Sequence, residues 1–511
     1  MTSNVDTTAT PTRKVVVVLL DSLNRHMLGA YGSDEFETPN LDRFAASSIV
    51  FDRHHVGSLP CMPARHDLLV GSLDFLWRPW GSIEVWEEAL TTELRRRDVT
   101  TVLVSDHPHL FETGGENYHV DFTAWDYVRG HENDPWRTRP DPSWVGSPAL
   151  PAARARNHHR YDDSRTWFRE EADFPGPRTM QTAAEWLRRD APHHDEFLLL
   201  VDEFDPHEPF DTPEPWASMY DPDWDGDRLI WPPYAVDAIA RGVVTERDAA
   251  HIRANYGSKL SMIDHWFGIV LDRIDALADD VAVIVCTDHG HYLGEHDTFG
   301  KPGSPLWKAL GHIPLMIRWP GATPGRSSAL TTTVDLHATL CDTFRIEPEH
   351  RTHGSSLVPL LTGAVDSVRD HLLAGYWSRY VYVIDEHRTY GRSPVGDGFP
   401  LEMWSNRWSS MPIWHAAPQY RFPQPDLRAT LGSMPGSTAP VIRQPFAPGD
   451  LLPFWAYGTP IDDHHLYDAD DADEADNQAG SAAADDAIEL LRHALETIEA
   501  PIHQYERLGI R

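Results

Sequence analysis

The chain has 511 residues, enough for one large α/β domain and a smaller partner. Its 78 acidic residues outweigh 44 basic ones to give a formal net charge of -34, a field that repels nucleic acid and anionic membranes. No run of eighteen apolar residues offers a membrane span, residues 1–13 carry no signal-peptide core, and three scattered cysteines (Cys61, Cys286, Cys341) make no disulfide framework, so the expected compartment is the cytoplasm.

Lys14-Val15-Val16-Val17-Val18-Leu19-Leu20 is a continuous apolar run, as expected for a strand buried on both faces of a parallel sheet, and it ends in Asp21-Ser22. Thr38 to Ala46 predicts a helix with Thr38 as cap and Pro39 at its first position. Cys61-Met62-Pro63-Ala64-Arg65 then places a thiol where a helix starts, with Leu68-Leu69 on the buried side. Two readings of Cys61 stand here. It is a buried thiol acting as a small apolar residue, or a nucleophile facing an anionic substrate, which the helix dipole and Arg65 one turn on would favour.

Glu84 to Arg97 predicts an amphipathic helix, and Thr100 to Val104 a second strand ending Ser105-Asp106-His107-Pro108-His109. From about Gly130 to Arg178 the chain is rich in Pro, Trp, Arg and Asp without period, which predicts a long loop over one face. Phe197 to Val201 is a third strand, ending Asp202-Glu203-Phe204-Asp205-Pro206-His207. A helix from about Glu246 to Ala276 precedes a fourth strand, Val281 to Cys286, which ends Thr287-Asp288-His289-Gly290; Ile313 to Ile317 is the fifth. This alternation predicts a large doubly wound α/β domain over 1–370, a mixed, mostly parallel sheet flanked by helices. After Asp370 the character changes. Tyr380 to Ile384 predicts a short antiparallel sheet, 402–453 is rich in Trp, Pro and Met with little period, 468–486 is acidic and alanine-rich, and Ile488 to Glu499 is a helix. Residues 371–511 are therefore expected to form a smaller α+β domain.

Four strands end in acidic residues, three of them with histidine. One such ending often just caps the next helix, but strand ends pool at one crevice of an open sheet, so four of them point to a shared site. Carboxylates with one imidazole make a site for a divalent cation; oxygen donors favour calcium, magnesium or manganese, and the histidine tilts the balance towards manganese or zinc.

These residues resemble the type I sulfatase family of the alkaline-phosphatase-like superfamily, which also holds phosphonate monoester hydrolases. Cys61-Met62-Pro63-Ala64-Arg65 matches its Cys-x-Pro-x-Arg signature, and Leu69-Val70-Gly71 resembles the segment that follows. Asp21 to Gly32 (DSLNRHMLGAYG) is similar to the first metal-binding segment and Thr38 to Phe44 to the helix after it. Pro206-His207-Glu208-Pro209-Phe210, Asp288-His289-Gly290 with Lys301, Gly354 to Leu361 and His465-Leu466-Tyr467-Asp468 resemble later landmarks in order.

The resemblance implies a sulfuric ester hydrolase, arylsulfatase-like, in which a formylglycine-generating enzyme oxidises Cys61 to an aldehyde whose diol is the nucleophile. It implies one divalent ion, calcium first with manganese or magnesium as alternatives, held by Asp21, Cys61, Asp288 and His289, with Ser22 a weaker ligand. Arg65 is expected to hold the formylglycine oxygens and the negative charge, and His109 to be the base that collapses the intermediate, with His107 beside it. His207, Lys301 and His312 are expected to bind the substrate anion, with Lys301 assisting the leaving oxygen. Three departures bear on substrate. Ser22 replaces a second acidic residue, His107-Pro108-His109 replaces a Lys-x-His pair, and His289 stands where many sulfatases have asparagine and phosphonate hydrolases have histidine. The alternatives are a phosphonate monoester or phosphodiester hydrolase using the same site, and a binding protein that keeps Cys61 unconverted. The implied partners are a small sulfate ester and the maturation enzyme; the oligomeric state is open.

Overall fold

A computed structural model describes residues 13–144, 159–277, 280–301, 305–411, 424–453, 456 and 463–511. The eight-stranded sheet contains β1 (Lys14–Leu20), β2 (Ile49–His55), β4 (Thr100–Ser105), β5 (Ala124–Tyr127), β6 (Phe197–Glu203), β7 (Val281–Cys286), β10 (Leu315–Arg318) and β11 (Gly325–Thr332). Its order is β11-β2-β10-β7-β1-β6-β4-β5, parallel throughout except at β10, which runs antiparallel to both neighbours. A five-stranded sheet joins β18 (His465–Asp468), β14 (Arg388–Arg392), β13 (Val381–Asp385), β12 (His371–Tyr376) and β3 (Ser58–Leu59). A three-stranded sheet is formed by β15 (Leu401–Ser405), β16 (Thr430–Gly432) and β17 (Val441–Phe446), and β8 (Tyr292–Leu293) pairs with β9 (Phe299–Gly300) in a hairpin. The helices are α1 (Pro39–Ala46), α2 (Cys61–Val70), α3 (Leu90–Arg96), α4 (His159–Arg165), α5 (Pro175–Arg189), α6 (Glu246–Asp275), α7 (Lys308–Gly311), α8 (Thr333–Phe344), α9 (Val358–Leu361), α10 (Ala483–Thr497) and α11 (Ile502–Arg507).

Alternation along β1 explains the layering. Val16, Val18 and Leu20 face one core, shared with α1, α5 and α6; Val15, Val17 and Leu19 face the other, shared with α2, α3 and α8. A strand buried on both faces needs apolar residues at every position, and complete burial of each large side chain contributes ~1.5–3 kcal/mol. The five-stranded sheet is likewise covered twice. Val381, Val383 and Leu466 pack with α10 and with Leu73 to Trp77, whereas Leu372, Tyr376 and Tyr382 pack with Leu59, Leu306 and Leu310. Because β12 pairs with β3, two residues before Cys61, that sheet is anchored at the root of the candidate nucleophile.

The doubly wound reading of the sequence matches this architecture, with informative differences. Glu84 to Ala89 is not helical and α3 starts only at Leu90, because Glu84 and Glu87 turn inward to Arg78 and His66; buried ion pairs override helix propensity there. The loop from Gly130 to Arg178 contains α4 and ends where α5 begins, since Pro175 and Pro177 lie in the first turn, where a missing N–H costs nothing. Residues 145–158 of that loop lie outside the described part. The 402–453 segment contains β15 and β17, paired antiparallel, and its residues 412–423 also lie outside.

Candidate active site

Helix α2 begins at Cys61, so its free N–H groups and dipole point into the crevice beyond the carboxyl ends of β1, β6 and β7. Cys61 Sγ lies 3.2 Å from His289 Nε2 and 3.9 Å from Lys301 Nζ. Ligand atoms of Asp21, Cys61, Asp288 and His289, all buried, lie within 4.8 Å of one another. His289 Nδ1–H donates to the Gly290 carbonyl at 2.9 Å, which leaves the Nε2 lone pair directed at the thiol, the tautomer a metal ligand requires. Burial holds this imidazole down to about 4, so it is neutral.

Burial and the neighbouring Asp288 push Asp21 well above the usual carboxylate range, so the pair is short of positive charge. Burial and Asp21 also push the Cys61 thiol up, so the unmodified side chain is a protonated thiol. Two buried carboxylates, a neutral imidazole and an electron-rich fourth position fit a divalent cation. Ser22 is bound up with these groups. Its N–H donates to Asp288 Oδ1 (3.0 Å), its hydroxyl donates to Asp21 Oδ1 (2.8 Å) and accepts from Lys301 (3.2 Å), and its φ of 62° is a left-handed strain found at functional sites. Ser22 therefore orients the carboxylate and the ammonium.

Arg65 differs from its expected role. Its Nε and NH2 grip Asp202 in a two-pronged pair (2.8 and 2.6 Å), NH1 donates to Asp288 Oδ2 (2.8 Å) and the Cys61 carbonyl (3.2 Å), and NH2 lies 3.0 Å from Asp21 Oδ2. Every nitrogen is engaged by a carboxylate or the Cys61 carbonyl. Arg65 clamps the carboxylates instead. Lys301 follows the β8–β9 hairpin, where Gly300 at φ 77° passes so close to Tyr234 that a Cβ would lie 2.4 Å from the ring. Burial opposes the Lys301 charge, but the carboxylates of Glu208, Asp21 and Asp288 outweigh it and keep the ammonium protonated.

The two histidines after β4 are electrically opposite. Burial opposes charge on His109, but Glu112 and Glu132 flank its two nitrogens and push it up to about 10. The two flanking carboxylates favour the protonated ring, which argues against the role of base expected from the sequence. His107 is fully buried, and neither ring nitrogen has a hydrogen-bond partner among the described residues. Burial, then Arg65, His109, His207 and Lys301, hold it well below the usual imidazole range, so it is neutral with a free lone pair. His207 donates from Nδ1 to the Glu208 carbonyl (2.7 Å) and stacks on Phe204, and burial lowers it to about 3. His312 is elsewhere. Its Nε2 donates to the Asp52 carbonyl at 2.6 Å and its ring stacks on His55, apart from the residues that meet Cys61.

Asp202, Glu132, Glu208 and His291 were given no role by sequence reasoning. Asp202 could have been read from its place at a strand end, and His291 from the continuation of Asp288-His289-Gly290. Glu132 sits in a segment without periodicity and gave no signal. His291 is buried with both nitrogens unpartnered among the described residues, and Lys301 and His207 act on its charge.

The His109–Glu132 pair has a testable pH signature. A raised histidine pKa contributes stability in full below ~6.5 and loses it as pH rises through about 10; the Glu132 pKa, lowered to about 2, contributes above ~4.5 and loses it below. The contribution should be complete only near pH 4.5–6.5. Glu132→Gln is expected to cost ~1–3 kcal/mol there and to flatten the fall in melting temperature between pH 6.5 and 10. An unchanged alkaline slope in the variant would disprove the pairing.

A sulfatase family model matches residues 13–346. The chain is 26% identical over 383 residues to a choline-sulfatase of Rhizobium meliloti, covering 68% of this chain and 71% of that one. It is 23% identical over 392 residues to an arylsulfatase of Clostridium perfringens, covering 70% and 80%. In fold it is similar to the phosphonate monoester hydrolase of Agrobacterium radiobacter, with TM-score 0.64, 18% identity and coverage of 96% and 95%. With the family model spanning both the Cys61 helix and the Asp288-His289 strand end, the chain belongs to the sulfatase family of alkaline-phosphatase-like proteins, a family of sulfuric ester hydrolases.

Proposed function

We propose that the chain hydrolyses sulfate esters with Cys61 converted to formylglycine and a divalent cation, calcium first and manganese or magnesium otherwise, held by Asp21, Asp288, His289 and the converted residue. The observation that carries this reading is the convergence of Cys61, His289 and Lys301 at the start of α2. The raised thiol supports conversion, because a protonated cysteine is a weak nucleophile in its own right. The cation, when bound, polarises the transferring group and lowers the pKa of the attacking hydroxyl; the hydrated aldehyde offers one hydroxyl to attack and a second whose deprotonation expels the inorganic anion.

The remaining roles belong to the chain's own side chains. Arg65 and Ser22 hold the carboxylates in place. Lys301 faces the substrate anion and supports the leaving oxygen, with His207 beside it. His107, neutral and unpartnered, takes the proton in place of His109. Peptide mass spectrometry of protein made with a formylglycine-generating enzyme should find the aldehyde at position 61; a plain thiol from that host would overturn the mechanism.

A phosphonate monoester or phosphodiester hydrolase is the second reading, favoured by the Asp288-His289 pair and by the fold neighbour's name. A sulfate monoester and a phosphonate monoester each carry one negative charge, whereas a phosphate monoester carries nearly two at neutral pH. With the Lys301 ammonium facing the thiol, the site suits a singly charged group. On one leaving group, kcat/KM should fall from sulfate to phosphonate monoester to phosphate monoester. A tenfold preference for the phosphonate, about 1.4 kcal/mol in transition-state binding, would reverse the assignment.

A further inference from the structure

Successive residues of a helix point about 100° apart, so Arg65 enters the catalytic crevice while His66 leaves it on another side of α2. There His66 Nε2 lies 3.0 Å from Glu87 Oε1 and 3.4 Å from Asp74 Oδ2. All three side chains are more than nine-tenths buried, at 3%, 8% and 6% exposure. Among the described residues His66 Nε2, Asp74 Oδ2 and Glu87 Oε1 have no well-formed hydrogen bond. The opposite oxygen of Glu87 is fixed from behind, since Oε2 accepts the Glu84 N–H at 2.8 Å. Two carboxylate oxygens are thus aimed at one imidazole nitrogen, an arrangement that needs a cation between them or a proton on the ring.

We propose that His66, Asp74 and Glu87 form a second divalent-cation site, of zinc type, outside the catalytic centre. The separations fit: ligands ~2.1 Å from a common ion lie roughly 3.0 Å apart at right angles and roughly 3.4 Å apart in a tetrahedron. The charge fits as well. Among the described residues Asp74, Glu84 and Glu87 face the Arg78 guanidinium, held by the Ser82 carbonyl (2.7 Å) and Glu84 (3.2 Å) and 3.7 and 4.0 Å from Asp74 and Glu87, with Arg351 farther out along the cavity. A dication makes up the difference. A cavity of about 260 Å³, walled by Glu88, Glu349 and Arg351 among others, reaches Asp74 and Glu87 and gives an ion and a fourth, water ligand a way in. One imidazole with two carboxylates suits zinc over calcium or magnesium, and zinc binds such ligands more tightly than manganese. The competing occupant is a proton on His66, which would make the triad a plain buried ion pair.

Metal content separates the two. Full-length protein carrying Asp288→Asn, to weaken the catalytic site, is stripped with chelator, equilibrated with zinc chloride, desalted and measured by mass spectrometry of the metal. About one more equivalent of zinc is expected than in the same protein with Asp74→Asn and Glu87→Gln added. Equal zinc in both would overturn the site. Should the triple variant not fold, anomalous diffraction at the zinc edge from the unaltered chain decides: a peak bounded by His66, Asp74 and Glu87 is expected, and its absence refutes the proposal whatever the catalytic site holds.

Discussion

Asp288→Asn is expected to abolish bound metal at the catalytic centre and to lower kcat/KM by at least ~10³, about 4 kcal/mol of transition-state stabilisation, while the fold survives. Asp288 Oδ1 accepts the N–H groups of Ser22 (3.0 Å) and His289 (2.8 Å), and Oδ2 accepts from Arg65 (2.8 Å). Asparagine can keep the backbone contacts through its carbonyl oxygen. Its NH2 would then face the Arg65 guanidinium, donor against donor, and the site would lose one of two carboxylates that attract a cation. Arg65 still has its two-pronged pair with Asp202, and the residue lies at the end of β7, beyond the packed part of the strand, so structural damage stays local. Metal analysis and kinetics on the same preparation decide the matter. Metal retained beyond the one equivalent expected at His66, Asp74 and Glu87, with activity lost, would remove Asp288 from the ligand set, and activity retained without metal would remove the metal from the chemistry.

The sequence made the frame of this site legible because the frame rests on short-range signals. An unbroken Val run can only be a strand buried on both faces, and an acidic residue at its end can only lie over the sheet's rim. Cys61 with Pro63 and Arg65 announces a helix start in the same local way. The rest depends on partners far along the chain. For Arg65 the sequence points to the formylglycine oxygens, because nothing nearby shows that Asp202, 137 positions on, takes two of its prongs. His109 was read as a base because Glu132 lies in a segment without period, and the carboxylate that charges the ring is visible only in three dimensions. The helix predicted over Glu84 to Arg97 failed for the same reason, since the amphipathic pattern came from carboxylates that serve Arg78 and His66 rather than solvent. Polar strands such as β11, with its GRSSALTT sequence at the sheet edge, carry no apolar alternation and were invisible.

Arg65→Met should damage stability as well as activity. Arg65 is 1% exposed and touches Asp21, Asp202 and Asp288, each buried. Burial alone would drive the guanidinium towards neutrality, but Asp202, Asp21 and Asp288 outweigh it and lock the charge in place. Methionine fills much the same volume, strands Asp202 and leaves Asp21 and Asp288 with Lys301 as the nearby cation, and breaking a buried ion cluster by removing one partner costs ~3–5 kcal/mol. Chemical denaturation of the metal-free protein is the proper measure, because bound cation would mask part of the loss. Arg65→Lys separates charge from shape. It keeps the ammonium but cannot span both Asp202 oxygens while reaching Asp288, so it should recover part of the stability and little of the activity. Adding Asp202→Asn to Arg65→Met removes the stranded carboxylate, and the double variant should be more stable than Arg65→Met alone. If Arg65→Met unfolds at the wild-type midpoint, or if Asp202→Asn makes it worse, the carboxylate clamp is not what Arg65 provides.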